Sequence, residues 1–239
     1  MGNEKLLTGK TTLITGASRG IGLAVARRLG KMGARLSLCA RNPEALSRAA
    51  SQLCNDGIEA IAIPADLTRS DEISALVAKT HQSLGEIEIL VNNAGVGKFA
   101  PFHEIGETDW DTVLDTNLKA VFLLSKGVAP EMIRRRRGHI INIASLAGKN
   151  SFATGGVYCA SKWGLLGLTY CMAEDLRGYG IRVAAVCPGT VATEFSPHAG
   201  KKTSKMLQPD DVAHAVGMIL KESPQSFISE VLLRPTQKP

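Results

Sequence analysis

Tyr158 and Lys162 stand four residues apart in a stretch with helical periodicity. Residues at that spacing lie one above the other on a helix face, so a phenol and an ammonium project together. A tyrosine ordinarily ionises near ~10 and is a poor acid or base at neutrality. A cation about 4 Å away, at an effective dielectric near ~20, favours the phenolate by roughly 4 kcal/mol. That amounts to about three pKa units, enough for acid–base work near neutral pH. The expectation is therefore that Lys162 lowers the Tyr158 pKa. Taken alone, the spacing also describes a solvated surface pair. Two further polar residues give it context. Ser145 closes the apolar run that precedes the pair, and Asn117 sits among Val113, Leu114, Leu118 and Val121. An asparagine on an apolar face costs free energy unless it is paired, so Asn117 should have a specific partner.

The elements that must position these groups alternate between strand and helix. Thr11 to Thr15 reads as a buried strand, followed by Gly16-Ala17-Ser18-Arg19-Gly20-Ile21-Gly22 and a helical pattern. Strand, glycine-rich turn and helix form a phosphate cradle, because glycines let the backbone approach and the helix N-terminus offers free N–H groups. The spacing differs from the G-x-G-x-x-G fingerprint, and a merely tight turn is the alternative. The next strand, Arg35 to Ala40, ends at Arg41, about 20 residues on, where an NAD site presents an acid to the ribose 2′-hydroxyl. No acid stands there. Arg41 can instead fork onto a 2′-phosphate, with Arg19 able to approach it, and this predicts NADP(H) over NAD(H).

Further strands are expected over Ile58 to Pro64, Ile87 to Val91, Gly138 to Ser145, Ile181 to Val186 and Val231 to Leu233. Asp66 follows the first of these, either to accept from an adenine amino group or to cap the next helix. Asn92-Asn93-Ala94-Gly95 follows the second, where side-chain amides can tie strand ends together. One long helix is expected from about Asp109 to Arg135, kinked or broken near Pro130. The Tyr–Lys helix should run from Gly156 to Tyr179, with Leu165, Leu168, Met172 and Leu176 on its packing side. Segment 194–208, with Phe195, Pro197, His198, Lys201, Lys202 and Lys205, interrupts the rhythm as a possible lid. The pattern predicts a single doubly wound α/β domain spanning 1–239.

Composition narrows the class of function. The 239 residues carry a net charge of +6, and four of the positive charges are the run Arg134 to Arg137. Basic groups favour a helix C-terminus, and that run lacks the aromatic residues that stack on nucleic acid. The five cysteines form no metal-ligand pattern and suit a reducing compartment. No apolar run approaches the ~20 residues of a membrane span. The expectation is a soluble cytoplasmic protein with no metal, membrane or nucleic-acid partner.

Taken together, Thr15-Gly16-x-x-x-Gly20-x-Gly22, Asp66, Asn92-Asn93-Ala94-Gly95, Asn117, Ser145, Tyr158-x-x-x-Lys162 and Pro188-Gly189 with Thr193 resemble the short-chain dehydrogenase/reductase family over nearly the whole chain. The resemblance implies a Rossmann-type seven-stranded parallel sheet with three helices a side. It implies a catalytic set of Asn117, Ser145, Tyr158 and Lys162: Tyr158 gives the proton, Ser145 stabilises the carbonyl oxygen, Lys162 tunes Tyr158, and Asn117 holds a water. For the cofactor it implies Gly16, Ser18, Arg19, Gly20, Ile21 and Gly22 at the phosphates and Arg41, Asp66 and Leu67 at the adenosine end. Asn93, Ala94 and Gly95 also line it. Tyr158 and Lys162 adjoin it too, Lys162 at the nicotinamide ribose, and Pro188, Gly189, Val191 and Thr193 receive the nicotinamide. Within the family the body is similar to 3-oxoacyl-acyl-carrier-protein reductases, whose acyl carrier protein would then be a partner. The ending Ser229 to Pro235 departs from their V-D-G-G segment and looks more like reductases of small carbonyls or dehydrogenases of 3-hydroxy acids. A homotetramer or homodimer is typical of such enzymes. A non-catalytic dinucleotide sensor is the reading from another class, although a sensor has no need of the four catalytic residues.

Overall fold

Continuous apolar strands must be covered on both faces, and here they are. The computed structural model describes residues 5–195 and 203–237. Its strands are β1 (Thr11–Thr15), β2 (Arg35–Ala40), β3 (Ala60–Pro64), β4 (Ile87–Asn92), β5 (Gly138–Ile143), β6 (Ile181–Pro188) and β7 (Glu230–Leu233). They form one parallel sheet in the order β3-β2-β1-β4-β5-β6-β7. The helices are α1 (Gly20–Lys31), α2 (Pro43–Asn55), α3 (Ser70–Leu84), α4 (Glu107–Leu114), α5 (Ala120–Arg135), α6 (Gly156–Arg177) and α7 (Pro209–Ile219). Side chains alternate across each strand, so one sheet yields two cores. Ile14, Leu38, Val91, Ile141 and Val186 meet α1, α2 and α7. Leu13, Cys39, Leu90, Ile140 and Val183 meet α3, α5 and α6. The seven parallel strands with three helices a side implied by the resemblance are thus present. The strand order reverses between β1 and β4, where open α/β sheets bind ligands at their carboxyl edge.

Several local expectations need correction. The stretch expected as one helix over 109–135 begins earlier and contains a π-helical turn at Asp115–Lys119 between α4 and α5. Pro130 does not end α5. Leu124, Val128 and Met132 are fully or nearly fully buried on either side of it, and that packing carries the helix across the missing N–H bond. The helix stops at Arg136, whose φ of 54° places it in the left-handed region usual for glycine. The basic run is paired: Arg134 and Arg135 grip Glu86, and Arg137 lies 3.6 Å from Glu88. Strand β3 starts at Ala60 because the Ile58 N–H closes the end of α2 on the Leu53 carbonyl at 2.9 Å. Strand β6 reaches Pro188, pairing it with Leu233. Helix α6 stops at Arg177, ahead of Gly178 and Gly180.

Candidate active site

The first turn of α6 carries Tyr158, and Lys162 follows one turn later, both nearly buried. The Lys162 Nζ donates to the Ile143 carbonyl at 2.9 Å and lies 5.8 Å from the centroid of the Tyr158 ring. Ser145 lies just past the end of β5, where its hydroxyl accepts from the Ala147 N–H at 3.1 Å and interacts with the Tyr158 phenol. These three groups meet at the carboxyl edge of the sheet.

The pKa expectation is overturned for the protein without cofactor. Burial pushes Tyr158 up to about 12, a rise that the Ser145 hydroxyl opposes and Cys159 assists. Burial also drives Lys162 down to about 8, against the influence of Cys187. Desolvation disfavours both charged forms. Lys162 has lost its own proton before a phenol at about 12 ionises, so no ammonium is left to offset the loss of water. At neutral pH the phenol therefore carries its proton.

Asn117 is wholly buried in the π-helical turn. Its Oδ1 accepts from the Val96 N–H at 2.8 Å, and its amide donates to the Val96 carbonyl at 2.9 Å and to the Ser161 hydroxyl at 3.0 Å. The required partner is thus backbone, and the side chain braces the 95–96 segment against α6. Both amide hydrogens are engaged, leaving no side-chain hydrogen for a water. A Cβ at Gly95 would come within 3.3 Å of Asn117 Oδ1 and 3.7 Å of Lys162 Nζ, so only a bare backbone passes closely there.

The glycine turn lies across the sheet edge from this group. Gly16 has a φ of 65°, and a Cβ there would reach 2.9 Å from the Ala94 Cα. A Cβ at Gly22 would stand 2.3 Å from the Gly16 carbonyl oxygen. Gly20 faces the Thr193 side chain. Helix α1 has no side-chain cap at Arg19 and no acid in its first turn, which leaves its N–H groups open to an anion. This cradle, with Ser18 and Ile21 in the same turn, fits a pyrophosphate. Arg19 forms an ion pair with Glu194, joining the turn to the segment after β6. Asn93 donates to the Thr15 carbonyl at 2.9 Å and the Gly16 carbonyl at 3.2 Å, while the Asn92 amide bonds Asn142 at 2.9 Å. The expected tying of strand ends by side-chain amides is found.

Arg41 is exposed at the end of β2. Asp66 accepts from the N–H of Thr68 at 3.0 Å and from its hydroxyl at 2.9 Å. The Thr68 N–H, more than any other group, holds its carboxyl below the usual range, and Arg41 and Arg69 add to this. Asp66 caps its own turn, not helix α3, whose N-cap is Arg69. Leu67 beside it is buried. Pro188 ends β6, Gly189 donates to the Leu233 carbonyl at 2.8 Å, and Val191 bridges to Leu207. Of the proposed lid, Pro197, His198, Lys201 and Lys202 lie outside the described residues; Lys205 is exposed.

Two groups were not singled out from sequence. Phe99 and Phe195 lie against Tyr158, with ring centroids 5.5 Å and 5.7 Å from its own, and Phe152 packs on Phe99 at 6.1 Å. The chain has only 6 phenylalanines, so three following strand ends was an available signal. The second group is a polar knot behind Ser145. Glu230 on β7 accepts from Lys149 at 2.8 Å, Tyr170 at 3.1 Å and the Cys187 thiol at 3.5 Å. Burial pushes that thiol up to about 12, so it serves as a neutral donor.

Comparison with known proteins places this geometry. A family model described as short chain dehydrogenase matches residues 10–204. The chain belongs to the short-chain dehydrogenase family of oxidoreductases. It is 37% identical over 226 residues to the ketoacyl reductase HetN of Nostoc sp., covering 93% of this chain and 79% of that one. A solved metagenomic short-chain oxidoreductase in complex with NADP is 45% identical with a TM-score of 0.87, over 98% of this chain and 100% of that one. An actinorhodin polyketide ketoreductase solved with NADPH is 34% identical with a TM-score of 0.87, over 95% and 96%.

Proposed function

We propose that the chain is a single-domain NADP(H)-dependent reductase that converts a ketone to a secondary alcohol, with a 3-oxoacyl thioester as its substrate. The meeting of the Tyr158 phenol, the Ser145 hydroxyl and the Lys162 ammonium opposite an uncapped glycine turn carries this reading. The reduced nicotinamide, when bound, supplies hydride to the carbonyl carbon. Tyr158, protonated at neutral pH, donates its proton to the carbonyl oxygen as charge develops there. Ser145 donates a hydrogen bond to the same oxygen, a stabilisation that grows toward the transition state. Lys162 supplies positive charge that favours the phenolate left behind, and Asn117 fixes the 95–96 backbone beside it. Arg41 would hold the 2′-phosphate, with the glycine turn at the pyrophosphate, Asp66 and Leu67 at the adenine, Asn93 to Gly95 along the cofactor, and Pro188, Gly189, Val191 and Thr193 at the carboxamide.

The ketoacyl and polyketide reductases among the similar proteins support the thioester, carried on acyl carrier protein, as does exposed Lys205. The proposal includes a cytoplasmic homo-oligomer without nucleic-acid or membrane partners; Arg134 and Arg135 are paired with Glu86, which argues against a nucleic-acid role for that run. Dehydrogenation of a small 3-hydroxy acid is the same chemistry run backward. Incubation with NADPH and a panel comprising an acetoacetyl thioester, a diketone and activated ketones tests the proposal. Wild type oxidises NADPH, and Tyr158→Phe lowers kcat by about a hundred-fold or more, the usual worth of a positioned general acid. Equal, background-level oxidation by both would favour a dinucleotide sensor.

A further inference from the structure

Phenylalanines from three separate segments gather at Tyr158: Phe99 and Phe195 lie against its ring, and Phe152 packs on Phe99. Phe99 follows β4, Phe152 follows the turn after Ser145, and Phe195 follows β6. Close approach is possible because glycines sit beneath them. A Cβ at Gly97 would lie 2.7 Å from the Phe99 ring and 3.0 Å from that of Phe195, and one at Gly155 would lie 2.5 Å from the Phe152 ring. The segments are also stitched together. Thr154 carries a φ of 66°, and its carbonyl accepts from the Ala100 N–H at 3.1 Å. A β-branched residue in the left-handed region is strained, and such strain persists where surrounding structure imposes it. Here the bond from Ala100 to Thr154 ties the Phe152 loop to the Phe99 segment.

These rings are not ordinary core. Phe152 is 48% exposed and Phe195 44% exposed, so apolar ring surface is left open in the group that holds Tyr158. Their planes are tilted by 36°, 59° and 45°, between stacked and perpendicular. A flat guest can present its face to one ring and its edge to another, the two arrangements that aromatic pairs favour. The nearest ammonium in sequence, Lys98, is held by Asp109 at 2.9 Å. Phe99 and Phe195 flank the ring whose phenol would bond a carbonyl, which puts the cup beside that carbonyl's substituents.

We propose that Phe99, Phe152 and Phe195 form a subsite for a planar unsaturated ring attached to the reacting carbonyl, so that aryl ketones are preferred to saturated ones of equal bulk. This rests on the carbonyl-reductase reading and names the substrate class within it. The test compares kcat/KM for ethyl 3-oxo-3-phenylpropanoate with that for ethyl 3-cyclohexyl-3-oxopropanoate, which share the ester head and the number of ring carbons. The ratio of the two values cancels the amount of active enzyme, and comparing it between variants cancels the intrinsic reactivity of each ketone. Phe152→Leu, at a half-exposed position, should lower the phenyl-to-cyclohexyl ratio about five-fold, the worth of one aromatic pair. Phe152→Tyr should retain the ratio, and Phe99→Leu, whose ring touches Tyr158, should lower it at least as far. A ratio unchanged by both leucine variants overturns the subsite while leaving the reductase standing. No NADPH oxidation with either ester or with an acetoacetyl thioester overturns the reductase reading and the subsite with it.

Discussion

The turn after β1 and the loops around Tyr158 are both packed around glycines, but the obstacles differ in kind. At Gly16 and Gly22 an added Cβ meets backbone, the Ala94 Cα at 2.9 Å and the Gly16 carbonyl oxygen at 2.3 Å. At Gly97 and Gly155 it meets phenylalanine rings. Backbone tied at the ends of β1 and β4 by the bonds of Asn93 and Ala94 to Thr15 and Gly16 has little room to retreat, whereas a half-exposed ring can swing about its χ angles. The end proposed for the nucleotide is therefore rigid to change, and the end proposed for the carbonyl can be reshaped without dismantling the fold. A shared cofactor and a variable substrate would call for this division.

The comparison breaks most easily at Gly22. Gly22→Ala should abolish NADPH binding in a fluorescence titration and destabilise the fold by about 1–3 kcal/mol, the usual cost of overpacking. Gly155→Ala should bind NADPH normally and alter only substrate kinetics. Equal NADPH affinity in the two variants would end the distinction. The next largest effect is expected where the two regions meet. Lys162→Ala should lower kcat by about a hundred-fold. In the alcohol-oxidising direction Tyr158 must give up its proton before it can accept one, and the cation that favours the phenolate is gone in this variant. The acidic limb of the pH–rate profile should therefore move to higher pH; an unmoved limb would mean that Lys162 does not act on Tyr158.

Smaller effects sharpen the picture. Arg41→Ala should raise the KM for NADPH about ten-fold, as loss of a charge-assisted hydrogen bond does, and leave that for NADH nearly unchanged. Parallel changes for both cofactors would remove Arg41 from the 2′-phosphate. Thr154→Gly should relieve the left-handed threonine and stabilise the protein by about 1 kcal/mol in urea unfolding. The same change should loosen the Phe152 loop. A loss of stability would show that the φ of 66° costs less than the entropy a glycine adds to the unfolded chain.

Much of this was legible in the sequence because it depends on residue type at strand ends. The apolar runs gave the seven strands, and the demand that Asn117 be paired anticipated its bonds to Val96 and Ser161. What escaped depends on depth of burial and loop conformation. Helical spacing brings Lys162 beside Tyr158, but it does not show how deeply both are buried, and that burial raises the phenol and lowers the amine. The π-helical turn at 115–119 has no sequence mark of its own, since its residues would also continue an α-helix. The aromatic cup depends on Thr154 adopting a conformation its side chain disfavours, which local propensity argues against. Of the kink or break expected at Pro130 the break did not occur, because burial of its neighbours outweighed one missing hydrogen bond.

The carboxylate on β7 has a mechanical consequence. Through Lys149, Tyr170 and Cys187, Glu230 fastens the last strand to the loop beginning at Ser145 and to the middle of α6. A disturbance of that outermost strand would travel first into the aim of the serine hydroxyl and only later into unfolding. The edge of the sheet thus works as a tensioner for the chemistry, and injury there would register as slow turnover in a protein that still melts where it should.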